Sequence, residues 1–272
     1  MKIKITRIIF LVIFLAYSAA YVFLSDTQNL LIVTLYLIFP VGAALVALYT
    51  SRIYGFKSAN GRALLFITAG FTCWAIAEIV WYILENYITH GGGTVPSLAD
   101  IFFFLAYPII AVGIYQSFVT AGINLKTVKK SLLAIVISAS VVLTVLVLYF
   151  GVYQAYDPSV DMSTNAVNIG YGLVDLVLVV FSLFTILVAN EYKGGKLASF
   201  WKIMAAGFLL LLIADILSAI YQVPYLDEVK PYLYIDLLWA GSYILLALAM
   251  LENYLHVLAV QKNIKLKLQQ RQ

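Results

Sequence analysis

Five acidic residues lie inside long apolar stretches of this sequence: Glu78, Asp100, Asp175, Asp215 and Asp236. By insertion scales, a charged side chain at the centre of a membrane helix costs on the order of 2.5 to 3.5 kcal/mol. No lysine or arginine falls at the same depth along these stretches. The acids must therefore be protonated, hydrogen-bonded or paired with a group from outside the chain, and the chemistry they suit is cation binding or proton sharing.

Helical spacing puts tryptophan and tyrosine beside these acids. We expect a pocket facing the outer side of the membrane, with four acids and an aromatic wall: Glu78, Asp100, Asp215, Asp236, Trp74, Trp81, Tyr107, Trp239 and Tyr243. Asp175 and Tyr171 are secondary candidates. Such a pocket favours an organic amine, held by ion pairing and cation–π contact, or protons shared among the acids, and it disfavours anions.

A structural role for the same acids stays open. Polar side chains in membrane helices also fix packing through interhelical hydrogen bonds, worth roughly 0.6 to 2 kcal/mol each. Asp100 follows Ser97 by three residues, the spacing of a capping box at a helix start. Asp236 recurs at the matching place without a serine three residues before it, which favours a role beyond capping.

The composition decides the class of protein. With 64% hydrophobic and 11% charged residues and a mean hydropathy of +0.98, the chain is predicted to be an all-α, polytopic membrane protein. Eight apolar runs are long enough to span a bilayer, and we number the predicted helices in chain order: 5–24, 28–50, 62–86, 98–121, 131–152, 166–190, 198–222 and 233–258. The first run resembles a signal peptide in its basic start but ends without a small-residue cleavage site, so we expect an uncleaved helix.

The basic residues predict the orientation. Sixteen of the seventeen lysines and arginines fall before helix 1, in alternate connections or after helix 8, and only Lys230 falls on the opposite side. The positive-inside rule then places both termini in the cytoplasm. The net charge of +4 reflects the basic residues that set the membrane topology. Because these residues are spread over several short segments, they give no support to nucleic-acid binding.

The two halves of the chain resemble each other. Ala69-Gly70-Phe71 and Glu78 recur 137 residues later as Ala206-Gly207-Phe208 and Asp215, and Asp100 with Tyr107 recur 136 residues later as Asp236 with Tyr243. We therefore expect two parallel four-helix repeats, residues 1–122 and 123–258, followed by a cytoplasmic basic tail, 259–272. The alternative is that the two halves are similar by chance, because apolar helices are built from few residue types.

Several chemistries lack a sequence signature. There is no lysine placed mid-helix for a retinal Schiff base, no paired-histidine metal pattern, no Gly-x-Ser-x-Gly elbow and no phosphate loop. Cys73 is the single cysteine, so no internal disulfide is possible. We expect no metal, no cofactor and no catalytic residue, although a membrane enzyme built on carboxylates alone stays an alternative.

The segment Pro96-Ser-Leu-Ala-Asp100 running into Tyr107-Pro108, with Trp74-Ala-Ile-Ala-Glu78 before it and Asp236-Leu-Leu-Trp239 later, resembles the multi-helix membrane input regions found ahead of diguanylate cyclase (GGDEF) and histidine kinase domains in prokaryotes. The resemblance covers roughly residues 69 to 250. It implies a signal-input module of a prokaryotic plasma (inner) membrane. About 15 residues follow helix 8 with no output domain, so we expect either a stand-alone member or a shortened chain.

These observations predict a receptor-like membrane sensor. It would bind a small cationic or lipid-like ligand from the outer side and signal through its cytoplasmic tail, a cytoplasmic partner or a homodimer, with membrane lipids as its surroundings. A carboxylate-lined transporter or proton pathway is the second hypothesis and a lipid-modifying enzyme the third.

Helix 8 is expected to continue to Leu268, because no glycine or proline interrupts it. Pro40 and Pro108 are expected to kink helices 2 and 4.

Overall fold

The computed structural model describes residues 2–24, 30–89, 95–123, 126, 128–193, 195, 197–222, 225 and 229–270. Eight of its helical segments are long and apolar enough to cross a membrane, so the prediction of an all-α fold with eight helices of membrane-spanning length is confirmed for these residues. We label them α1 Lys2–Leu24; α2 Leu30–Tyr36 with Ile38–Tyr54; α3 Ala59–Ile83, extended by the π-helical turn Leu84–Ile88; α4 Leu98–Thr120; α5 Lys130–Leu146, extended by the π-helical turn Val147–Tyr153; α6 Met162–Glu191; α7 Leu197–Ile220; and α8 Ile235–Gln269, preceded by the 3-10 turn Tyr232–Tyr234.

Six helices form a closed ring. Helix α3 packs against α2 and α4, α4 packs against α6, α6 against α7, α7 against α8, and α8 returns to α2. Helix α1 lies against the outside of this ring, mainly on α8, and α5 lies outside against α6. Side chains carried by α2, α3, α4, α6, α7 and α8 therefore meet in the interior of the ring.

Two glycines let ring helices approach closely. A Cβ at Gly70 of α3 would lie 2.2 Å from Cγ1 of Ile110 on α4, and one at Gly207 of α7 would lie 2.8 Å from Cδ2 of Leu246 on α8. Neither distance leaves room for a methyl group without movement. The glycines thus hold the crossings of α3 with α4 and of α7 with α8.

Proline accounts for the interruption of α2. Pro40 has no backbone N–H and cannot donate to the carbonyl of Tyr36, the residue at which the first piece of α2 ends. The chain bridges the gap with a tighter hydrogen bond from Leu37 N to Thr34 O, 3.2 Å long. The expected irregularity at Pro40 is therefore present, whereas α4 continues through Pro108 without a break.

The last helix is longer than its apolar run. Helix α8 extends to Gln269 and confirms the predicted continuation beyond residue 258. From Leu258 onward its side chains are exposed, including Ile264 and Leu268. One continuous helix therefore joins the interior of the ring to the lysine-rich end of the chain.

Candidate functional site

Glu78 lies where three helices meet. Its Oε1 accepts hydrogen bonds from the hydroxyl of Tyr36 on α2, at 3.1 Å, and from the hydroxyl of Tyr243 on α8, at 2.9 Å. The two tyrosine rings also pack edge to face with centroids 6.3 Å apart. A single carboxylate thus ties α3 to its ring neighbour α2 and, through the interior of the ring, to α8.

An aromatic cluster continues from Tyr243 toward α4. The ring of Trp74 on α3 packs edge to face against Tyr243, at 6.3 Å, and against Tyr107 on α4, at 5.6 Å. These three side chains are only 2%, 3% and 5% exposed, respectively. Three of the five aromatic residues predicted to wall a pocket therefore pack against one another in the core.

Asp215 and Asp175 form a pair of carboxyl groups between α7 and α6. Their side chains interact directly with each other, and the indole N–H of Trp239 on α8 donates to Asp215 Oδ1 at 2.7 Å. Asp215 Oδ2 is buried and accepts no hydrogen bond from the described residues. Two ionised carboxylates in contact repel each other, so this arrangement suits a proton shared between them or a cation beside them.

Asp236 opens α8 and is held by two tyrosines. Its carboxylate accepts from Tyr21 of α1 at 2.5 Å and from Tyr225 at 2.7 Å. Burial and the nearby Asp236 carboxylate raise the pKa of Tyr225 well above its ordinary value, which keeps this hydroxyl protonated as a donor. The ring of Tyr225 packs edge to face on Trp239, with centroids 5.9 Å apart, and so connects Asp236 to the pair at Asp215.

Asp100 occupies the corresponding place at the start of α4. Its carboxylate accepts from the backbone N–H of Ser97 at 2.5 Å, which is one half of the predicted capping box; the Ser97 hydroxyl has no hydrogen-bond partner among the described residues. It also accepts from the hydroxyl of Tyr171 on α6, whose ring packs against Phe104 at 4.8 Å. Asp100 therefore both caps its own helix and fastens α6 to α4.

No protein-family model, curated protein or solved structure matches this chain.

The described contacts divide the predicted site into separate groups, and Asp100, bonded to Tyr171, has no ring contact or side-chain hydrogen bond to the two larger groups among the described residues. Glu78, Trp74, Tyr107 and Tyr243 form one connected group, and Asp215, Trp239 and Asp236 form a second with Asp175 as a full member. Trp81 has no ring contact or side-chain hydrogen bond to either group among the described residues. The outward-facing pocket itself stays a prediction.

Sequence reasoning missed the tyrosines that satisfy the acids from other helices. Tyr36 has no distinguishing pattern apart from being a lone hydroxyl in an apolar run, and Tyr225 lies in a tyrosine-rich connection of the kind expected at a membrane–water interface. Tyr21 lies near the end of α1, where a belt tyrosine is also expected. The sequence signal that could have found them is their depth in the membrane, because each of these tyrosines lies at the same level as an acid on another helix.

A second polar cluster lies at the opposite end of the bundle. Glu252 of α8 is 4% exposed and accepts two hydrogen bonds from Arg7 of α1, at 2.5 and 2.9 Å, and one from Ser199 of α7, at 3.0 Å. Arg7 also donates to Ser199 at 2.7 Å. This cluster joins α1, α7 and α8 just before the exposed part of α8 begins.

The donors available to the interior acids restrict the chemistry. Among the described residues, the partners of Glu78, Asp215 and Asp236 are tyrosine hydroxyls, an indole N–H and another carboxyl, with no lysine or arginine. The described residues also contain no group of three or more histidine, cysteine, aspartate or glutamate side chains suited to a metal ion. The arrangement therefore suits protons or a small cation.

Proposed function

We propose that this chain is a membrane sensor that binds a small cation or protons at the interior acids and transmits the change through α8. The observation that most supports this proposal is that α8 is one continuous helix. The same helix presents Trp239 to Asp215 and Tyr243 to Glu78, and then continues to Gln269 as an exposed helix. A change of charge among the acids alters the anchoring of α8, and a rigid helix carries that displacement to its far end.

A cation is the preferred ligand because of the charge imbalance around Asp215. Its Oδ2 is buried with no hydrogen-bond donor among the described residues, and Asp175 adds a second carboxyl beside it. An ammonium group supplies both positive charge and N–H donors, and Trp239 offers an aromatic face for cation–π contact. A lipid-like ligand fits only if it carries such a group.

We also propose that the chain is a duplication of a four-helix unit. The order of helices in the ring supports this duplication. If α2, α3 and α4 are exchanged with α6, α7 and α8, respectively, every contacting pair of ring helices becomes another contacting pair. The glycine contacts support it as well, because Gly70 with Ile110 and Gly207 with Leu246 are separated by the offsets, 137 and 136, found for the acids and tyrosines.

The proposed sensor lies in a prokaryotic plasma membrane with both termini in the cytoplasm, and it signals through its tail, a cytoplasmic partner or a homodimer. The distribution of lysine and arginine supports this orientation. The contacts of Arg7 with Ser199 and Glu252 agree with it, because they bring the start of α1, the start of α7 and the later part of α8 to one level.

The experiment measures the response of the tail. A bimane fluorophore at Ile264→Cys, in a background lacking Cys73, is followed in nanodiscs during titration with tetramethylammonium chloride against sodium chloride, and during titration from pH 8 to pH 5. We expect Glu78→Gln and Asp215→Asn to shift the midpoint or abolish the response, because each keeps size and hydrogen bonding but removes the charge.

Asp157→Asn is the matched control, since Asp157 is an exposed acid in the connection before α6. It should leave the response unchanged. If the parent shows no response to either titration, or if Glu78→Gln and Asp215→Asn respond like the parent, the acids are packing elements and the sensor proposal is wrong.

The contact between Asp175 and Asp215 also favours a second candidate, a proton or cation pathway. Neighbouring carboxyls that share a proton are a usual element of proton relays in membrane proteins. Purified protein in liposomes loaded with a pH-sensitive dye distinguishes the two functions. Proton or cation flux that Asp175→Asn abolishes supports the pathway, and tail movement without flux supports the sensor.

A further inference from the structure

A groove opens on the membrane side of the bundle at its lysine-rich end. Its volume is about 350 Å³, within the range of about 300 to 1,000 Å³ that is usual for small-ligand pockets. Residues of α5, α6, α7 and the turn between α6 and α7 line it: Leu132, Ile186, Ala189, Asn190, Lys193, Lys202, Ala205, Ala206 and Leu209. The interior acids do not contribute to it, so its role is separate from the proposed sensor site.

The groove exists because α5 is held at one end only. The turn Val147–Tyr153 packs against both α6 and α7, and it comes so close that a Cβ on Gly172 would lie 2.0 Å from the carbonyl oxygen of Gly151. The Lys130–Leu146 part of α5 contacts mainly α6, and only Val136 in it is buried. Helix α5 therefore diverges from α7 toward its beginning and leaves the space in which the groove lies.

The lining has two chemically different parts. Leu132, Ile186 and Leu209 give it apolar walls, and Ala205 with Ala206 form a floor of small residues. Leu209 lies seven residues after Lys202, or about 10 Å deeper along α7. At the mouth lie Lys193 and Lys202, both exposed and neither in an ion pair within the described part of the chain. The groove is thus apolar within the bilayer and positive at its edge.

We propose that this groove binds an anionic phospholipid of the leaflet at the lysine-rich end. One acyl chain lies between α5 and α7 against Ala205 and Ala206, and the phosphate lies between Lys193 and Lys202, with the amide of Asn190 available as a further donor. Basic pockets between membrane helices recognise anionic head groups through the same charge complementarity. A zwitterionic lipid such as phosphatidylcholine also satisfies the apolar walls, but its choline cation offsets the phosphate charge and repels the two ammonium groups.

Native mass spectrometry of the detergent-solubilised full chain measures the binding, with dioleoyl-phosphatidylglycerol and dioleoyl-phosphatidylcholine as probes. We expect tighter binding of the anionic lipid, weakened roughly fivefold by Lys193→Ala or Lys202→Ala and about 25-fold by both together. The matched control is Lys57→Ala with Lys265→Ala, which removes two exposed lysines from the same lysine-rich end of the bundle but outside the groove. This control should keep the affinity of the parent.

A second variant tests the apolar part of the groove. Ala206→Trp places a large side chain where the acyl chain is expected and should reduce phosphatidylglycerol binding while leaving the lysines in place. Equal affinity for both lipids, or equal loss in the control pair and in the groove pair, overturns the proposal. Inorganic phosphate at millimolar concentration should not displace the lipid, and displacement by phosphate alone identifies a free-anion site and overturns the lipid assignment.

Discussion

The hydrogen bond from Tyr243 to Glu78 should couple the stability of α8 to that of α3. Tyr243→Phe removes only the donor hydroxyl and keeps the ring that packs on Trp74 and Tyr36. Glu78→Ala removes the acceptor. The two single variants and the double variant form a thermodynamic cycle whose interaction energy isolates this contact.

The structure gives the expected size. Hydrogen bonds between membrane helices average about 0.6 kcal/mol and reach about 1.7 kcal/mol in such cycles. A carboxylate acceptor, a length of 2.9 Å and a donor side chain that is 3% exposed favour the upper part of this range. Tyr36 donates to the same oxygen and compensates for part of the loss. We therefore expect a coupling of about 1 kcal/mol, so that Tyr243→Phe destabilises the parent but has almost no effect in the Glu78→Ala background.

Equilibrium unfolding in mixed micelles, followed by tryptophan fluorescence, measures the four free energies of unfolding. Tyr107→Phe is the control partner, because Tyr107 is as buried and also contacts Trp74 but has no hydrogen bond to Glu78 among the described residues. A coupling for Tyr243 that equals the value for Tyr107 would refute the assignment of this contact as a link between α3 and α8.

Three further predictions concern orientation, packing and acid stability. In a background lacking the native cysteine, Ser159→Cys should react with an impermeant maleimide in intact cells and Lys57→Cys only after permeabilisation; the reverse pattern would invert the topology. Gly70→Ala should lower the free energy of unfolding by about 1 to 3 kcal/mol and more than Gly207→Ala, because the added methyl meets a branch atom at 2.2 Å in the first case and a terminal methyl at 2.8 Å in the second; equal costs would contradict this. Hydrogen bonds from the first turn of α6 hold the pKa of Asp161 below its ordinary value. A lowered folded-state pKa adds stability that is lost below about pH 4, so Asp161→Asn should show a smaller fall in unfolding temperature on acidification than the parent.

The spans were predictable because bilayer thickness sets the length of an apolar run, and all eight runs satisfy it. The ends of the helices depend on forces that hydropathy does not report. The connection between the two pieces of α2 follows from one missing donor at Pro40, and the length of α8 follows from uninterrupted helix propensity beyond the membrane. Both features were predictable from residue chemistry, whereas the π-helical ends of α3 and α5 had no sequence signal that we recognised.

The importance of the acids was predictable from the free-energy cost of placing an acid in a membrane helix, because an acid retained there needs a partner or a function. Their partners were not, because which helix faces which acid depends on the ring order. Tyr36 reaches Glu78 only because α2 lies beside α3, and Asp175 reaches Asp215 only because α6 lies beside α7. For the same reason Asp175 moves from a secondary candidate to the centre of the second group, and Trp81 lies apart from both.

The difference between the two acid groups suggests how the proposed sensor works. Glu78 accepts hydrogen bonds from two tyrosines. Asp215 accepts one hydrogen bond from an indole and lies against a second carboxyl, that of Asp175. A proton or cation therefore changes the group at Asp215 more than the group at Glu78. Trp239 and Tyr243 are four residues apart on one face of α8, so the helix is anchored to both groups within about 6 Å along its axis. In the proposed sensor, the anchor at Trp239 responds more strongly than the anchor at Tyr243, so α8 tilts, and the exposed helix beyond Leu258 converts that tilt into a larger displacement.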